Sequence, residues 1–124
     1  MNEIEKQLYD YIDSDTVKEI FRDLLSYSKS IEKFTCEARN YHKGKKDFKY
    51  YHNDNIGKYV FAFIVNKKDL LFYIRRPAMT INPLLRKFLK GSVLKFSKNP
   101  VGEFTARVET REQLEKIKEI LEYY

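Results

Sequence analysis

The stretch from residue 58 to residue 76 constrains the fold more than any other part of the chain. Two apolar runs of strand length, KYVFAFIV and LLFYIRR, are separated by the turn-like sequence NKKD. Pairing the two runs sets large side chains opposite one another: Val65 with Leu70, Phe63 with Phe72, Phe61 with Ile74, and Tyr59 with Arg76. The alternate residues are also mostly apolar: Val60, Ala62, Ile64, Leu71 and Tyr73. We therefore predict a β-hairpin at the centre of a sheet, covered on both sides.

Apolar residues at helical spacing predict helices at both ends of the chain. Residues 2–12 and 15–31 each carry an apolar stripe, and Asp13 to Asp15 supply the turn and cap between them. Near the other end, Thr110 and Gln113 have the spacing of a capping box, so a last helix begins there.

Further strands and one short basic helix complete the predicted order. Alternation predicts strands at 34–39, 48–52, 92–97 and 103–109. After Pro77 ends the hairpin, Asn82 and Pro83 predict a basic helix that runs to Gly91. The order suits one α+β domain over residues 1–124, with an antiparallel sheet of about five to six strands packed against N-terminal and C-terminal helices.

Cysteine content and hydropathy exclude several classes of protein. The single cysteine, Cys36, cannot form an internal disulfide or complete a structural zinc site. The polar first residues do not form a secretory signal, and no apolar run reaches the roughly 20 residues of a membrane helix. We therefore expect a cytoplasmic protein with no membrane partner.

The sequence offers no motif for catalysis or for a cofactor. The four glycines are scattered, so no loop cradles phosphate. A hairpin turning near Lys45 places His52 opposite Ala38, roughly 13 Å from His42, too far for a shared metal ion. Cys36 alternates in phase with Phe34 and Ala38, which predicts a buried thiol rather than a nucleophile.

A nuclease of the two-carboxylate-plus-lysine kind would need acidic residues and a lysine at strand ends. Asp69 and Glu103 are candidates, but neither lies in the Glu-x-Lys spacing of such sites. We therefore predict no catalytic residue, no metal and no cofactor.

Positive charge is concentrated in the middle of the chain. Residues 29–100 hold 17 Lys or Arg against five Asp or Glu, a net charge of +12, whereas residues 1–28 carry −4 and residues 101–124 carry −2. Segregation of this kind indicates a polyanionic partner. It is also compatible with lysines that only solvate the sheet.

Basic and aromatic residues alternate within the stretch ARNYHKGKKDFKYYHNDN, residues 38–55. Cations there would meet phosphates, and tyrosines would stack on bases. Tyr50 and Tyr51 point to opposite faces of a strand, so we expect Tyr50 to pack and Tyr51 to bind. We expect Arg76 to stack on Tyr59 and leave Arg75 free. The predicted nucleic-acid-binding residues are Arg39, Tyr41, Lys43, Lys45, Lys46, Lys49, Tyr51, Lys58, Arg75, Arg86, Lys87 and Lys90.

The second half of the chain has a familiar layout. KYVFAFIV, a turn, LLFYIRR and then GEFTARVETREQLEKIKEIL resemble the small uncharacterised domains described as "predicted transport protein", found alone or beside restriction-type nucleases. The resemblance covers about residues 17–124 and departs from the family at 42–57 and in the glycines before the final strand. It implies an α+β domain with a role in DNA restriction or phage defence, and it assigns no catalytic residue.

These observations favour a non-catalytic domain that binds nucleic acid, with DNA favoured over RNA because of the resemblance. Two alternatives stay open. One is an inhibitor or adaptor that uses its basic face to bind an acidic protein or to block a nucleic-acid site. The other is an accessory subunit of a nuclease.

Overall fold

The computed structural model describes residues 1–41 and 44–124, and for Asn55 and Ile56 the backbone alone. It contains the helices α1 (Glu3–Tyr11), α2 (Asp15–Ser30), α3 (Arg76–Ile81) and α4 (Arg111–Tyr123), and a 3₁₀ helix (Pro83–Leu89). The strands are β1 (Phe34–Asn40), β2 (Lys46–His52), β3 (Asn55–Val65), β4 (Leu70–Ile74), β5 (Ser97–Lys98) and β6 (Phe104–Val108).

The six strands form one antiparallel sheet in the order β1-β2-β3-β4-β6-β5. The hairpin of β3 and β4 is central, as the sequence predicts. Its pairs from Val65–Leu70 to Phe61–Ile74 also follow the predicted register. The α+β fold, with helices at both ends of the chain, is therefore confirmed.

One face of the sheet, which we call the core face, carries the hydrophobic core. Its residues include Phe34, Phe48, Tyr50, Phe61, Phe63, Phe72, Ile74 and Ala106, all buried. α2 lies against this face, since the Ser28 hydroxyl is hydrogen-bonded to the Tyr50 hydroxyl. The end of α4 also lies there, because the ring of Tyr124 packs on Phe34 and Phe61.

The opposite face of the sheet, which we call the outer face, is more open than the sequence suggests. Ile64, Leu71 and Tyr73 are half-buried there, and only Ala62 among the apolar residues of the hairpin is buried on this side. The predicted cover on both sides of the hairpin is wrong. α2 and the end of α4 pack against the core face, and Val60, which is also buried, lies where the pairing of β2 and β3 is irregular.

Between β1 and β2 the hairpin turns earlier than predicted. Asn40 pairs with Lys46, and His52 lies opposite Phe34 rather than Ala38. The cause is the packing of Phe48 opposite Ala38 on the core face, which fixes the register of the pair. The distance predicted between the two histidines involves His42, which lies outside the described residues.

Two segments near the 3₁₀ helix differ from the sequence-based prediction. Pro77 does not merely end a strand; it occupies the first turn of α3, where a missing N–H is tolerated. Asn82 makes no side-chain cap. The strand predicted at 92–97 is present only as Ser97–Lys98, and the Gln113 side chain of α4 donates to the carbonyl of Val93 at 3.2 Å. The predicted capping box of Thr110 and Gln113 is present.

Candidate nucleic-acid interface

The outer face of the sheet combines aromatic rings with cations. Alternation along the strands puts Lys49 and Tyr51 of β2 on this face, together with Tyr59 of β3 and Tyr73 of β4. The rings of Tyr51 and Tyr59 meet edge to face, with centroids 5.8 Å apart. Tyr50 faces the other way and is fully buried, as predicted.

A hollow of about 120 Å³ lies in the middle of this face. Ala62 and Ile64 of β3 form its apolar part, and Tyr59 and Tyr73 add aromatic rings. Its charged lining residues are Lys45, Asp47, Lys49, Arg75 and Glu103. The hollow therefore offers apolar and aromatic contacts, hydrogen-bond donors and carboxylate acceptors within one small volume.

Arg75 has a fixed place in the hollow. Its guanidinium carbon lies 3.9 Å from the centroid of the Tyr59 ring, and its Nε donates to Oε2 of Glu103 at 2.7 Å. The prediction that Arg76 stacks on Tyr59 and leaves Arg75 free is wrong. The backbone N–H of Arg75 bonds the carbonyl of Val60 in the irregular part of β3, so the strand pairing ends before Arg76.

Glu103 is held by several donors at once. Arg75 bonds one carboxylate oxygen, and the amide of Asn99 donates to the other at 3.1 Å. Burial raises the pKa of Glu103, but these hydrogen bonds outweigh it and lower the pKa below its ordinary value. Glu103 is consequently ionised at neutral pH and orients Arg75.

Asp47 is the unusual acid of the hollow. Asp47 as a residue is 8% exposed, and its buried Oδ1 has no hydrogen-bond partner in the described part of the chain. Burial raises the pKa of Asp47, and the positive charges of Lys49 and Arg39 offset this only in part. A buried carboxylate oxygen without a donor destabilises a fold, so Asp47 is a candidate for contact with a ligand or with ordered water.

Two clefts extend the hollow toward α3. The first, of about 540 Å³, shares Arg75 with the hollow and is otherwise lined by Lys58, Arg76, Pro77, Thr80 and Ile81. The second, of about 260 Å³, shares Arg76 and Thr80 with the first and is otherwise lined by Met79, Arg86, Lys98, Gly102 and Phe104. No acidic residue is among these described lining residues of either cleft. We call the hollow and the two clefts together the basic track.

Gly102 allows Arg76 to lie between the two clefts. Its φ is +86°, and a Cβ added there would lie 3.3 Å from Cδ of Arg76. Glycine adopts this conformation without strain and leaves room for the arginine stem. The turn between β5 and β6 therefore positions a cation that the sequence-based prediction had assigned to packing.

The structure distributes the predicted binding residues over several places. Five of them line the basic track: Lys45, Lys49, Lys58, Arg75 and Arg86. Tyr51 belongs to β2. Arg39 belongs to β1, where its side chain forms an ion pair with Glu37. Tyr41 is exposed in the turn after β1, and Lys90 is exposed after the 3₁₀ helix. Lys43 lies outside the described residues.

Two predicted residues lie on the helical side of the sheet instead. The ammonium of Lys46 lies 4.3 Å from the ring centroid of Tyr11 in α1, because residue 46 alternates with Lys45 and Asp47. The ammonium of Lys87 lies 3.7 Å from the ring of Tyr123 in α4. The two basic clusters of the sequence are joined by Arg75, Arg76 and Thr80, so part of each contributes to one track.

Sequence reasoning missed the acids and rings that shape the hollow. The period-two spacing of Asp47 and Lys49 puts a carboxylate and an ammonium on one face, and this signal was available in the sequence. The proximity of Tyr59, Tyr73 and Glu103 depends on the register of three strands and had no local signal.

A broader depression of about 640 Å³ near β5 and β6 has a different character. Among its lining residues are Lys95, Arg107 and Glu109, but no aromatic side chain. Asp69 is half-buried and bonds Arg107 at 2.9 Å, so this nuclease candidate is held in an ion pair. This depression therefore offers an extended ligand fewer aromatic and cationic contacts than the basic track does.

The other groups considered for chemistry are constrained by their surroundings. Cys36 is half-buried on the core face, and burial raises the pKa of its thiol to about 12, so it is protonated at neutral pH. The ring of His52 packs edge-on to Phe34 and Tyr124. Over residues 1–41 and 44–124, no three His, Cys, Asp or Glu side chains are grouped so that they could hold a metal ion.

Among the described residues, no helix combines the length and the apolarity needed to cross a bilayer. No family model, curated protein or solved structure matches the chain. The resemblance drawn from its sequence layout therefore stays a prediction.

Proposed function

We propose that this protein binds single-stranded nucleic acid along the basic track and acts as a binding domain rather than an enzyme. The observation that carries the proposal is the continuity of the track. The hollow shares Arg75 with the first cleft, and the first cleft shares Arg76 and Thr80 with the second. Together the three depressions collect seven cations: Lys45, Lys49, Lys58, Arg75, Arg76, Arg86 and Lys98.

The chemistry of the track suits a sugar–phosphate backbone with unpaired bases. The two clefts carry cations for phosphates, and the hollow carries tyrosine rings and an apolar floor for a base. A duplex keeps its bases stacked and offers only their edges, which a small hollow in a sheet cannot enclose. This favours a single strand over a duplex. The sequence resemblance favours DNA, and the test includes RNA.

Fluorescence anisotropy with labelled oligo(dT) of about 12 nucleotides, its RNA counterpart and a duplex tests the proposal at low salt. Lys58→Ala with Arg76→Ala removes two exposed cations from the first cleft, so we expect affinity for the single strand to fall about tenfold.

The matched control is Lys46→Ala with Lys87→Ala, which removes the same charge from cations that lie over Tyr11 and Tyr123. We expect it to change affinity by less than about twofold. Equal losses of affinity in the two double variants would show that the strand is attracted by the net charge of the protein and not by the basic track. An absence of binding to every oligonucleotide at low salt would exclude the proposed function.

A further inference from the structure

The hollow on the outer face has the composition of a subsite for one heteroaromatic ring. Ala62 and Ile64 supply apolar surface, and Tyr59 and Tyr73 supply rings that prefer stacked or edge-to-face neighbours. Its volume of about 120 Å³ suits a single base and excludes a base pair. Cations on its rim, Lys45 and Lys49, have flexible stems that can move as a ligand enters.

The polar groups of the hollow are not equally available to a ligand. Both oxygens of Glu103 already accept hydrogen bonds, from Arg75 and from Asn99. Asp47 differs, because its Oδ1 is without a donor among residues 1–41 and 44–124. Among the acceptors that line the hollow, the Asp47 carboxylate is therefore the one that a ligand with hydrogen-bond donors would pair.

Guanine fits this arrangement better than the other bases. Its N1–H and its 2-amino group are adjacent donors, which a carboxylate can accept together. Its O6 and N7 are acceptors for lysine or arginine. Adenine and cytosine place a ring-nitrogen acceptor beside their amino group, which would face the carboxylate unfavourably. Thymine and uracil have one N–H between two carbonyls.

We propose that the hollow is a guanine subsite in which Asp47 accepts hydrogen bonds from the base while Lys45 or Lys49 donates to its acceptor edge. The proposal rests on the proposed function and adds a base preference to it. Tyr59 and Tyr73 hold the ring of the base. Lys49 now lies over the Tyr59 ring at 4.7 Å, and the entering base takes over part of that contact.

The test compares oligo(dT) strands that carry one central guanine, hypoxanthine, adenine or thymine. Hypoxanthine lacks only the 2-amino group of guanine, so the comparison isolates one donor and needs no protein variant. We expect the wild-type protein to bind the guanine strand about tenfold more tightly than the all-thymine strand, and about threefold more tightly than the hypoxanthine strand.

Asp47→Asn then tests the assigned acceptor, with Glu37→Gln as its control. Both variants remove one acid, and Glu37 belongs to the same face without lining the hollow. We expect Asp47→Asn to abolish the preference for guanine over hypoxanthine. Glu37→Gln should keep the preference. Thermal melting of each variant checks that it is folded.

The outcomes separate the two proposals. Equal binding of all four strands by the wild-type protein would overturn the guanine subsite and leave the proposed function standing. A preference for guanine that survives in Asp47→Asn would overturn the role of Asp47. Absence of binding to all strands would overturn both.

Discussion

At the scale of single residues, Asp47 is maintained at a cost in stability. A buried carboxylate oxygen that lacks a donor disfavours the ionised form in the fold, and this raises the pKa of Asp47 above that of the unfolded chain. The protonated side chain is therefore favoured by folding. This contribution is fully present below the unfolded pKa of about 3.9 and is lost as the pH rises through the folded pKa.

We accordingly predict that Asp47→Asn raises the free energy of unfolding at about pH 7 by about 0.5–2 kcal/mol. The difference between the variant and the wild type should shrink as the pH falls through the raised folded pKa toward about 3.9, and should stay small below it, because Asp47 is then neutral in both the folded and the unfolded state. Urea unfolding at a series of pH values measures this difference in the free energy of unfolding. Glu5 and Glu103 titrate in both proteins, so the difference isolates Asp47. Equal stability of the two proteins at neutral pH would contradict the prediction.

Tyr50 and Tyr51 show what sequence alternation can predict about individual residues. Tyr50 is fully buried and its hydroxyl is hydrogen-bonded to Ser28, whereas Tyr51 is half-buried on the outer face. We predict that Tyr50→Phe lowers the free energy of unfolding by about 1 kcal/mol, as the loss of one buried hydrogen bond does. Tyr51→Phe should change it by less than about 0.5 kcal/mol. Chemical denaturation compares the two, and a larger effect at Tyr51 would reverse their assignment.

The roles of Arg75 and Arg76 were not predictable in the same way. Alternation along a strand predicts only that their side chains point to opposite faces of the sheet. Which one reaches Tyr59 depends on the irregular pairing near Val60, where the register of β2 and β3 shifts. An irregularity of this kind has no local signal in the sequence, because it reflects how three strands fit together.

At the scale of elements, the sequence predicts those features of the sheet that are determined by pairs of side chains on neighbouring strands. The β3–β4 register follows from aromatic and branched residues that face one another, so it is readable from the sequence. The segment before β5 is different. Alternation at 92–97 predicted a longer strand than exists, since β5 pairs with β6 only at Ser97 and Lys98, and the carbonyl of Val93 accepts a hydrogen bond from Gln113 of a helix that follows later in the chain.

The turn between β5 and β6 contains Gly102, which lies against Arg76 of the basic track. Gly102→Ala places a Cβ at positive φ and close to the stem of Arg76. We expect it to lower the free energy of unfolding by about 1–2 kcal/mol, and to weaken binding of oligo(dT) by displacing Arg76.

Gly91→Ala is the matched control for Gly102→Ala, because a Cβ added at Gly91 meets nothing within 4 Å. It should leave stability within about 0.5 kcal/mol of the wild type and affinity unchanged. Thermal melting and anisotropy measure both variants. If the two substitutions behave alike, the turn does not position Arg76.

At the scale of the whole molecule, the fold brings distant charges to one surface. Residues 29–100 carry the net charge of +12, but the chain order alone does not say which cations share a face. The sheet separates Lys45 from Lys46, and the 3₁₀ helix brings Arg86 to a cleft that Lys98 also lines. The candidate interface is therefore a product of the tertiary fold, and the sequence predicted only its composition.

The salt dependence of binding tests this charge distribution. If four to six of the seven track cations meet phosphates, log affinity for a single strand should fall with log salt at a slope of about −3 to −4. Lys58→Ala with Arg76→Ala removes two such contacts, so the slope should become shallower by about 1.4. Lys46→Ala with Lys87→Ala changes the net charge equally but removes no track contact, so its slope should match the wild type. Anisotropy titrations across salt concentrations measure the three slopes. Counterion release depends on phosphates actually neutralised rather than on net charge, so equal slopes for the two double variants would mean that the strand does not follow the track.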